Sequence, residues 1–150
     1  MAGDIKELNL RLNQTYRKQD DLYHDYASHF GLSVTGFWIL YTLCETDEDY
    51  TQNKLADMWY LPRQSINSAV ASLVKAGYLQ LEQMALARNN KALRLTQKGE
   101  LFCQKVIYPF YQLEERILRK MTDEERRQLL ALSTKQYELM REEVEAAISK

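Results

Sequence analysis

The segment TQNKLADMWYLPRQSINSAVASLVKAGYLQ, residues 51–80, decides the fold of this 150-residue chain. Thr51 is a suitable N-cap for a short helix that ends at a break over residues 59–61. Pro62 then suits the first turn of a second helix, because its missing N–H costs no hydrogen bond there. Gly77 ends this second helix. An apolar stripe at helical spacing predicts its buried face: Ile66, Ala69, Val70, Leu73 and Val74.

A β-hairpin is predicted immediately after these two helices. Residues 78–84 and residues 92–96 each have the composition of a strand, with Leu93 and Leu95 alternating in the second. Between them lies ALARNNK, residues 85–91, in which the pair Asn-Asn is a turn signal. This connection contains an arginine and a lysine, so we expect a hairpin with a basic tip.

Two helices are predicted on the N-terminal side of this unit. Apolar residues recur at three- and four-residue steps through residues 4–30, and Gly31 is a natural stop for that helix. Ser33 can cap a second helix, which is apolar around much of its circumference and should therefore be buried.

Two further helices are predicted on the C-terminal side. Thr96 can cap a long fifth helix, in which Pro109 predicts a kink near residues 105–108. Residues 122–125 have the pattern of a capping box, which starts a last helix that reaches about residue 147. The predicted fold class is mainly α with a small β-hairpin.

The charge of the chain is unevenly distributed. The formal net charge of −1 speaks against nucleic-acid binding, and residues 1–61 hold five basic and ten acidic residues. Residues 62–98, in contrast, hold one acid, Glu82, and six bases, for a net charge of +5. This segment could meet phosphates while the remainder faces solvent. Its bases are Arg63, Lys75, Arg88, Lys91, Arg94 and Lys98.

A short helix, a turn, a polar-faced helix and a basic hairpin together indicate a winged helix-turn-helix. The second helix would place its N-terminal side chains at base edges in the major groove, and the hairpin, or wing, would contact phosphates or the minor groove. Arg can bond guanine, Asn and Gln can bond adenine, and Ser suits either a base or a phosphate. The predicted DNA-binding residues are Thr51, Gln52, Arg63, Gln64, Ser65, Asn67, Ser68, Lys75, Arg88, Asn89, Asn90 and Lys91.

The sequence resembles the MarR family of bacterial transcription regulators along nearly its whole length. The strongest parts are residues 51–80, quoted above, and RNNKALRLTQKGELF, residues 88–102, which resembles the family's wing and returning strand and contains Leu-Thr-x-x-Gly (Leu95, Thr96, Gly99). Many members carry Asp-x-Arg at the wing. Here Ala87 and Asn89 occupy those positions. Either Arg88, shifted by one position, serves as the wing arginine, or the contact between the wing and DNA is weaker.

The resemblance implies a winged helix-turn-helix with long N- and C-terminal dimerisation helices. It implies a homodimer that binds a palindromic operator and is released by a small ligand, a metal or oxidation. We expect a single domain over residues 1–150, with a DNA-binding lobe at about 33–98 and a dimerisation region at about 4–30 and 99–147. The expected function is a sequence-specific transcription regulator, in most family members a repressor. The alternatives are a helical protein-interaction module that has lost DNA binding and a cysteine-based redox-sensing regulator.

The signal that the regulator senses is left open by the residues. Cys44 and Cys103 form no CxxC motif, and we expect both to be reduced, buried thiols. Asp20 and His24 share a helix face, but no further ligand completes a metal site, so no metal is expected. An organic effector could bind between the dimerisation region and the DNA-binding lobe. Five aromatic residues could line its pocket, or could be ordinary core: Tyr23, Tyr26, Phe30, Trp38 and Tyr41.

Other classes of protein find little support in the sequence. The N-terminus is polar and no apolar run approaches the ~20 residues of a membrane span, so a cytoplasmic protein without a membrane partner is expected. The sequence has no GxSxG, no HExxH and no Gly-rich phosphate loop, so we expect neither an enzyme nor a cofactor. The expected partners are double-stranded DNA, a second copy of the chain and a small organic effector.

Overall fold

A computed structural model describes residues 2–84 and 90–149 of the chain. This part contains helices and one two-stranded antiparallel sheet. The elements in chain order are α1 (Ala2–His29), α2 (Val34–Leu43), α3 (Gln52–Trp59), α4 (Arg63–Lys75), β1 (Leu79–Gln83), β2 (Lys91–Leu95), α5 (Gln97–Arg119) and α6 (Asp123–Ile148). The predicted fold class, mainly α with a small β-hairpin, is confirmed.

The predicted helix starts are confirmed by their caps. The hydroxyl oxygens of Ser33 and Thr51 accept hydrogen bonds from backbone N–H groups three residues later, at 3.0 Å and 3.1 Å. Thr122 and Glu125 form the reciprocal capping box at the start of α6. Each cap pairs an N–H that the first turn of a helix leaves unsatisfied, which is typically worth about 1 kcal/mol.

The core of the N-terminal part is built around α2. Phe37, Ile39 and Leu40 of this helix are fully buried, and α2 packs against both α1 and α4. The predicted stripe of α4 faces this core in four of its five positions: Ile66, Ala69, Val70 and Leu73. The prediction is wrong for Val74, which is 38% exposed in the last turn of the helix.

The hairpin is joined to the segment that precedes α3. Leu79 pairs with Leu95 and Gln83 with Lys91 across the two strands. On the other side of β2, the N–H of Leu93 donates to the carbonyl oxygen of Tyr50 at 2.8 Å. The base of the wing is therefore tied to residues that lead into α3.

The long helix α5 runs from Gln97 to Arg119 without interruption and contains Pro109. The kink near residues 105–108 stays a prediction. By its internal contacts the chain divides into two compact units, residues 1–108 and residues 109–150. The arrangement as one domain also stays a prediction.

The second unit is formed by the end of α5 and by α6. No residue of α6 is buried in this chain, although the helix carries many large apolar side chains. Those exposed are Leu129, Leu130, Leu132, Tyr137, Leu139, Met140, Val144 and Ile148.

The two cysteines correct the sequence-based expectation of reduced thiols. Cys44 and Cys103 are joined in a disulfide, with their Cα atoms 6.3 Å apart. The residues are 59 positions apart, so spacing alone gave no indication that the fold would bring the end of α2 against α5.

Within the described ranges, no helix combines the length and apolar character needed to cross a membrane.

Candidate nucleic-acid interface

The first two turns of α4 present the polar face that the sequence predicts. The helix buries its apolar stripe against α2 and α3, which turns its other side to solvent. The predicted base-contacting residues all lie there and are all exposed: Arg63, Gln64, Ser65, Asn67 and Ser68. Lys75, the predicted phosphate contact, is exposed in the last turn.

The N-terminal end of α4 is open to an external partner. Pro62 is its N-cap and provides no side-chain hydrogen bond, so the first N–H groups of the helix have no cap from that residue. Exposed N–H groups at a helix start favour phosphate oxygens. Arg63 lies 3.9 Å from the carboxylate of Asp57, with both side chains more than half exposed. An ion pair of this kind is weak, so it leaves the guanidinium available.

Thr51 and Gln52 stand at the start of α3, and both are half-buried. The hydroxyl of Thr51 is already engaged as the N-cap. Its evident role is therefore to start α3, and its assignment to the DNA interface remains a prediction.

The tip of the wing lies partly outside the described residues, since Arg88 and Asn89 fall in the gap at 85–89. Asn90 and Lys91 are described, and both are exposed. Lys91 begins β2 opposite Gln83, which places its charge at the start of the wing tip.

Of the five basic residues of the +5 segment that the structure describes, Arg94 and Lys98 make close hydrogen bonds within the protein, in addition to the weak contact of Arg63. Arg94 contacts the carboxylates of Asp49 at 2.6 Å and Glu82 at 2.9 Å. These hydrogen bonds, that to Asp49 first, raise the pKa of the Arg94 guanidinium above its ordinary value. Lys98 donates to the carbonyl oxygen of Ala76 at 2.7 Å. Because Asp49 lies outside the +5 segment, its pairing with Arg94 makes the net positive charge near DNA smaller than the sequence count indicates, whereas the hydrogen bond of Lys98 to a neutral carbonyl leaves its charge in place.

Tyr60 is a candidate that sequence reasoning missed. It ends α3 with a left-handed backbone (φ 53°, ψ 41°), and its side chain is 87% exposed. A non-glycine residue in this conformation costs conformational energy. The ring of Tyr60 is exposed, so burial of its apolar surface does not offset that cost. The break at residues 59–61 was read from the sequence, but only a backbone shows which residue adopts the strained conformation.

The five residues predicted to line an effector pocket are all half-buried. They form part of a continuous aromatic cluster, in which the ring of Trp38 lies 4.9 Å from that of Tyr23 and 5.2 Å from that of Tyr41. Trp59, which sequence reasoning missed, stacks on Trp38 at 4.7 Å and donates to the hydroxyl of Thr42 at 2.7 Å. A cleft of about 530 Å³ lies elsewhere, near the end of α2, so the effector pocket stays a prediction.

The side chain of Tyr26 connects α1 to α5. The hydroxyl of Tyr26 donates to the carbonyl oxygen of Val106 at 2.5 Å, and burial raises the pKa of this phenol.

Among the described residues, no three His, Cys, Asp or Glu side chains come together as a metal site.

The comparison of sequences supports the family resemblance. Residues 30–83 match the model of the MarR family; this range begins directly after α1, runs from α2 through β1, and so includes both helices of the helix-turn-helix. No curated protein sequence matches the chain.

The comparison of folds finds many similar solved structures. A MarR family regulator from Neisseria meningitidis superposes with a TM-score of 0.74 at 20% identity, covering 94% of this chain and 96% of that one. A MarR family transcriptional regulator from Listeria monocytogenes, solved with a 26-mer DNA, gives 0.71 at 22% identity, covering 89% and 88%. The MepR–DNA complex of Staphylococcus aureus gives 0.73 at 16% identity, covering 89% and 97%.

These structures are of transcription regulators and not of enzymes. Residues 30–83 therefore carry the sequence pattern of the MarR family, and the described chain has the winged helix-turn-helix fold of MarR-family transcription regulators.

Proposed function

We propose that this protein is a sequence-specific DNA-binding repressor, which binds a palindromic operator as a homodimer and is released by a small organic effector. The observation that carries the proposal is the exposed polar face on the first two turns of α4, supported from behind by a buried apolar stripe. A helix held in this way can enter a major groove without unfolding any of the core.

The chemistry of this face suits the reading of bases. Arg63 has the donor geometry for guanine and Asn67 the paired donor and acceptor for adenine. Neither side chain is buried, so neither must leave a packed site to reach DNA. Lys75 and Lys91 would contribute contacts to phosphates, which position the protein without reading sequence.

The homodimer is supported by α6. A 26-residue helix of which no residue is buried lacks the tertiary packing that normally stabilises helices. Its exposed apolar side chains would be covered by a second copy of the chain, and a two-fold dimer matches a palindromic operator.

The effector is supported by the aromatic cluster around Trp38. Its rings are half-buried, so a flat organic molecule could add to the stack without displacing the fully buried Phe37 beneath. Binding there would touch α1, α2 and α3 together, and a shift of α3 would move α4.

The proposal is tested by selecting genomic fragments with the purified protein and measuring affinity for the enriched sequence by fluorescence anisotropy. We expect a palindrome, a stoichiometry of two chains per site, and an affinity that falls steeply as salt rises. Arg63→Ala and Asn67→Ala should each relax the preference at one position per half-site, at about 1–3 kcal/mol, whereas Lys91→Ala should weaken all sequences alike.

Ser72→Ala is the matched control on the same helix. Ser72 is exposed in the second half of α4, and its hydroxyl bonds the backbone of Ser68 at 3.1 Å. This variant should bind as the parent does. Binding that is indifferent to both salt and sequence would instead favour a protein-interaction module on the same fold.

A further inference from the structure

Asp49 lies between the first turn of α3 and the wing, and contacts hold it from both sides. On the side of α3, the ammonium group of Lys54 donates to the carbonyl oxygen of Asp49 at 3.4 Å and to the carboxylate of Glu48 at 3.0 Å. The same ammonium group lies 4.4 Å from the centre of the Tyr50 ring, which is a cation–π contact. The segment that leads into α3 is therefore fixed to the start of that helix.

On the side of the wing, the carboxylate of Asp49 contacts Arg94 of β2 at 2.6 Å. Arg94 also contacts the carboxylate of Glu82 in β1 at 2.9 Å. Glu82 lies two residues along β1 from Gln80, the residue opposite Arg94, so this second pair is diagonal across the two strands. A guanidinium has enough donors, in a fixed planar arrangement, to serve two carboxylates at once. One side chain thus joins both strands of the wing to a residue outside the wing.

Burial holds the base of the wing but not its outer half. Leu79, Ala92 and Leu93 are almost fully buried, and the N–H of Leu93 donates to the carbonyl oxygen of Tyr50 at 2.8 Å. The described residues of the outer half, 81–84 and 90–91, are exposed or half-buried. A two-stranded hairpin is only marginally stable by itself, so the direction of this half depends on contacts made nearer the base. Arg94 belongs to the base and reaches toward the outer half through its contact with Glu82.

We propose that Arg94 is a positioning residue for DNA binding: held by Asp49, it sets the direction of the wing relative to α3 and so places Lys91 for its contact with a phosphate. This rests on the proposed function, since it assigns a role within that interface. Arg94 acts without touching DNA. It restricts motion of the wing that binding would otherwise have to restrict, which is a form of pre-organisation.

The carboxylate of Asp49 has two effects on DNA binding, and they have opposite signs. Through its charge it repels phosphates and neutralises Arg94, so a purely electrostatic role means that its removal tightens binding. Through its contact with Arg94 it orders the wing, so a positioning role means that its removal weakens binding. The small energy of partly exposed ion pairs limits this loss of affinity to about fivefold. The direction of the change therefore distinguishes the two roles.

The test compares Asp49→Ala with the parent, both as the full chain. The probes are the palindromic duplex from the genomic selection and a duplex of unrelated sequence, with affinity measured by fluorescence anisotropy at one low salt concentration. We expect Asp49→Ala to bind both duplexes about three- to fivefold more weakly, because a misdirected wing loses phosphate contacts that read no sequence. Hydrogen exchange at the amide of Leu93 should become faster. Circular dichroism checks that each variant is fully folded at the temperature of the assay.

Two further variants isolate the contact from the charge. Glu48 and Asp49 each pair with a base, whereas Asp47, in the same loop, is exposed and has no ion pair among the described residues. Asp47→Ala is therefore the matched control, and it should bind DNA at least as tightly as the parent. In the Arg94→Gln background, Asp49→Ala should weaken binding no further, because the partner through which it acts is already gone.

If Asp49→Ala binds as tightly as the parent or more tightly, or if Asp47→Ala loses as much affinity, the positioning role is wrong while the proposed function stands. A further loss of the same size in the Arg94→Gln background would show that the two residues act independently, which would also overturn the inference. If the parent binds neither duplex, the proposed function itself is wrong, and the role of Arg94 within it is wrong too.

Discussion

The carbonyl oxygen of Tyr78 lies against the backbone of Gly99, in the space that a Cβ atom at residue 99 would need. The same carbonyl accepts a hydrogen bond from the N–H of Thr96 at 3.0 Å, and the ring of Tyr78 stacks on Phe102 with centroids 4.3 Å apart. The entry to β1 and the first turn of α5 are therefore fastened together. The glycine of the Leu-Thr-x-x-Gly pattern is required by this close approach of two backbones.

Gly99→Ala should destabilise the protein by about 2–3 kcal/mol, because the added methyl group meets a backbone atom that cannot rotate away. Urea unfolding followed by circular dichroism measures the loss. Gly3→Ala is the matched control: a Cβ at Gly3 meets nothing within 4 Å, so that variant should gain up to about 1 kcal/mol from helix propensity. Equal effects of the two substitutions would contradict the explanation.

Local chemistry explains why most of the fold could be predicted. Ser33, Thr51 and Thr122 are caps whose hydrogen bonds span three residues, and the stripe of α4 follows from helical spacing alone. Contacts between distant residues could not be read in this way. The pairing of Cys44 with Cys103 depends on how α2 meets α5, and composition holds no record of it.

In the candidate interface, too, local features could be predicted from the sequence and long-range contacts could not. The polar residues of α4 were identified because periodicity assigns them to the face opposite the core. The contribution of Arg94 to the basic patch was overestimated, since Asp49, one of the two carboxylates that pair with it, lies far away in the sequence. The strained backbone of Tyr60 had no sequence signal, because glycine or asparagine is the usual residue there.

Arg94→Gln should lower the free energy of unfolding by up to about 1 kcal/mol, since two partly exposed carboxylates lose their shared partner. The effect should shrink in 1 M salt, where such pairs are screened. Urea unfolding at low and high salt measures both. Arg11→Gln is the control, because Arg11 pairs with one exposed carboxylate on its own helix, and its loss should be less than about 0.5 kcal/mol. A larger loss of unfolding free energy for Arg11→Gln than for Arg94→Gln would contradict the conclusion that Arg94 stabilises the fold by pairing with two carboxylates.

Tyr26→Phe should lower stability at neutral pH by about 1 kcal/mol, through loss of the hydrogen bond to Val106. The pKa of Tyr26 is raised in the folded state, so the folded protein holds this proton more tightly than the unfolded chain does. The stabilisation is therefore complete below the ordinary tyrosine pKa of about 10 and is lost as pH rises through the folded-state pKa.

The measurement for Tyr26 is urea unfolding between pH 7 and pH 11. Above pH 10 the stability of the parent should fall toward that of Tyr26→Phe, so the difference between them narrows. Tyr137→Phe, on the exposed surface of α6, is the control and should follow the parent throughout. A difference that stays constant with pH would show that ionisation of Tyr26 does not contribute.

Tyr60→Gly should raise stability and weaken DNA binding at the same time. Glycine adopts the left-handed backbone of residue 60 without the cost that a side chain incurs, so a gain of about 1 kcal/mol in the free energy of unfolding is expected. The exposed phenol stands three residues before Arg63, at the end of α4 that would enter the groove, where it can donate to a phosphate oxygen. Its loss should weaken binding to all sequences alike.

Tyr60→Phe separates the two effects, because it keeps the strained backbone and the ring but removes the hydroxyl. It should leave stability unchanged and lose most of the affinity that Tyr60→Gly loses. Urea unfolding and fluorescence anisotropy on the same preparations provide both readouts. If Tyr60→Gly gained stability with no loss of affinity, the strained tyrosine would have no part in binding DNA. If Tyr60→Gly lost stability, the left-handed backbone of Tyr60, with its φ of 53°, would not be destabilising.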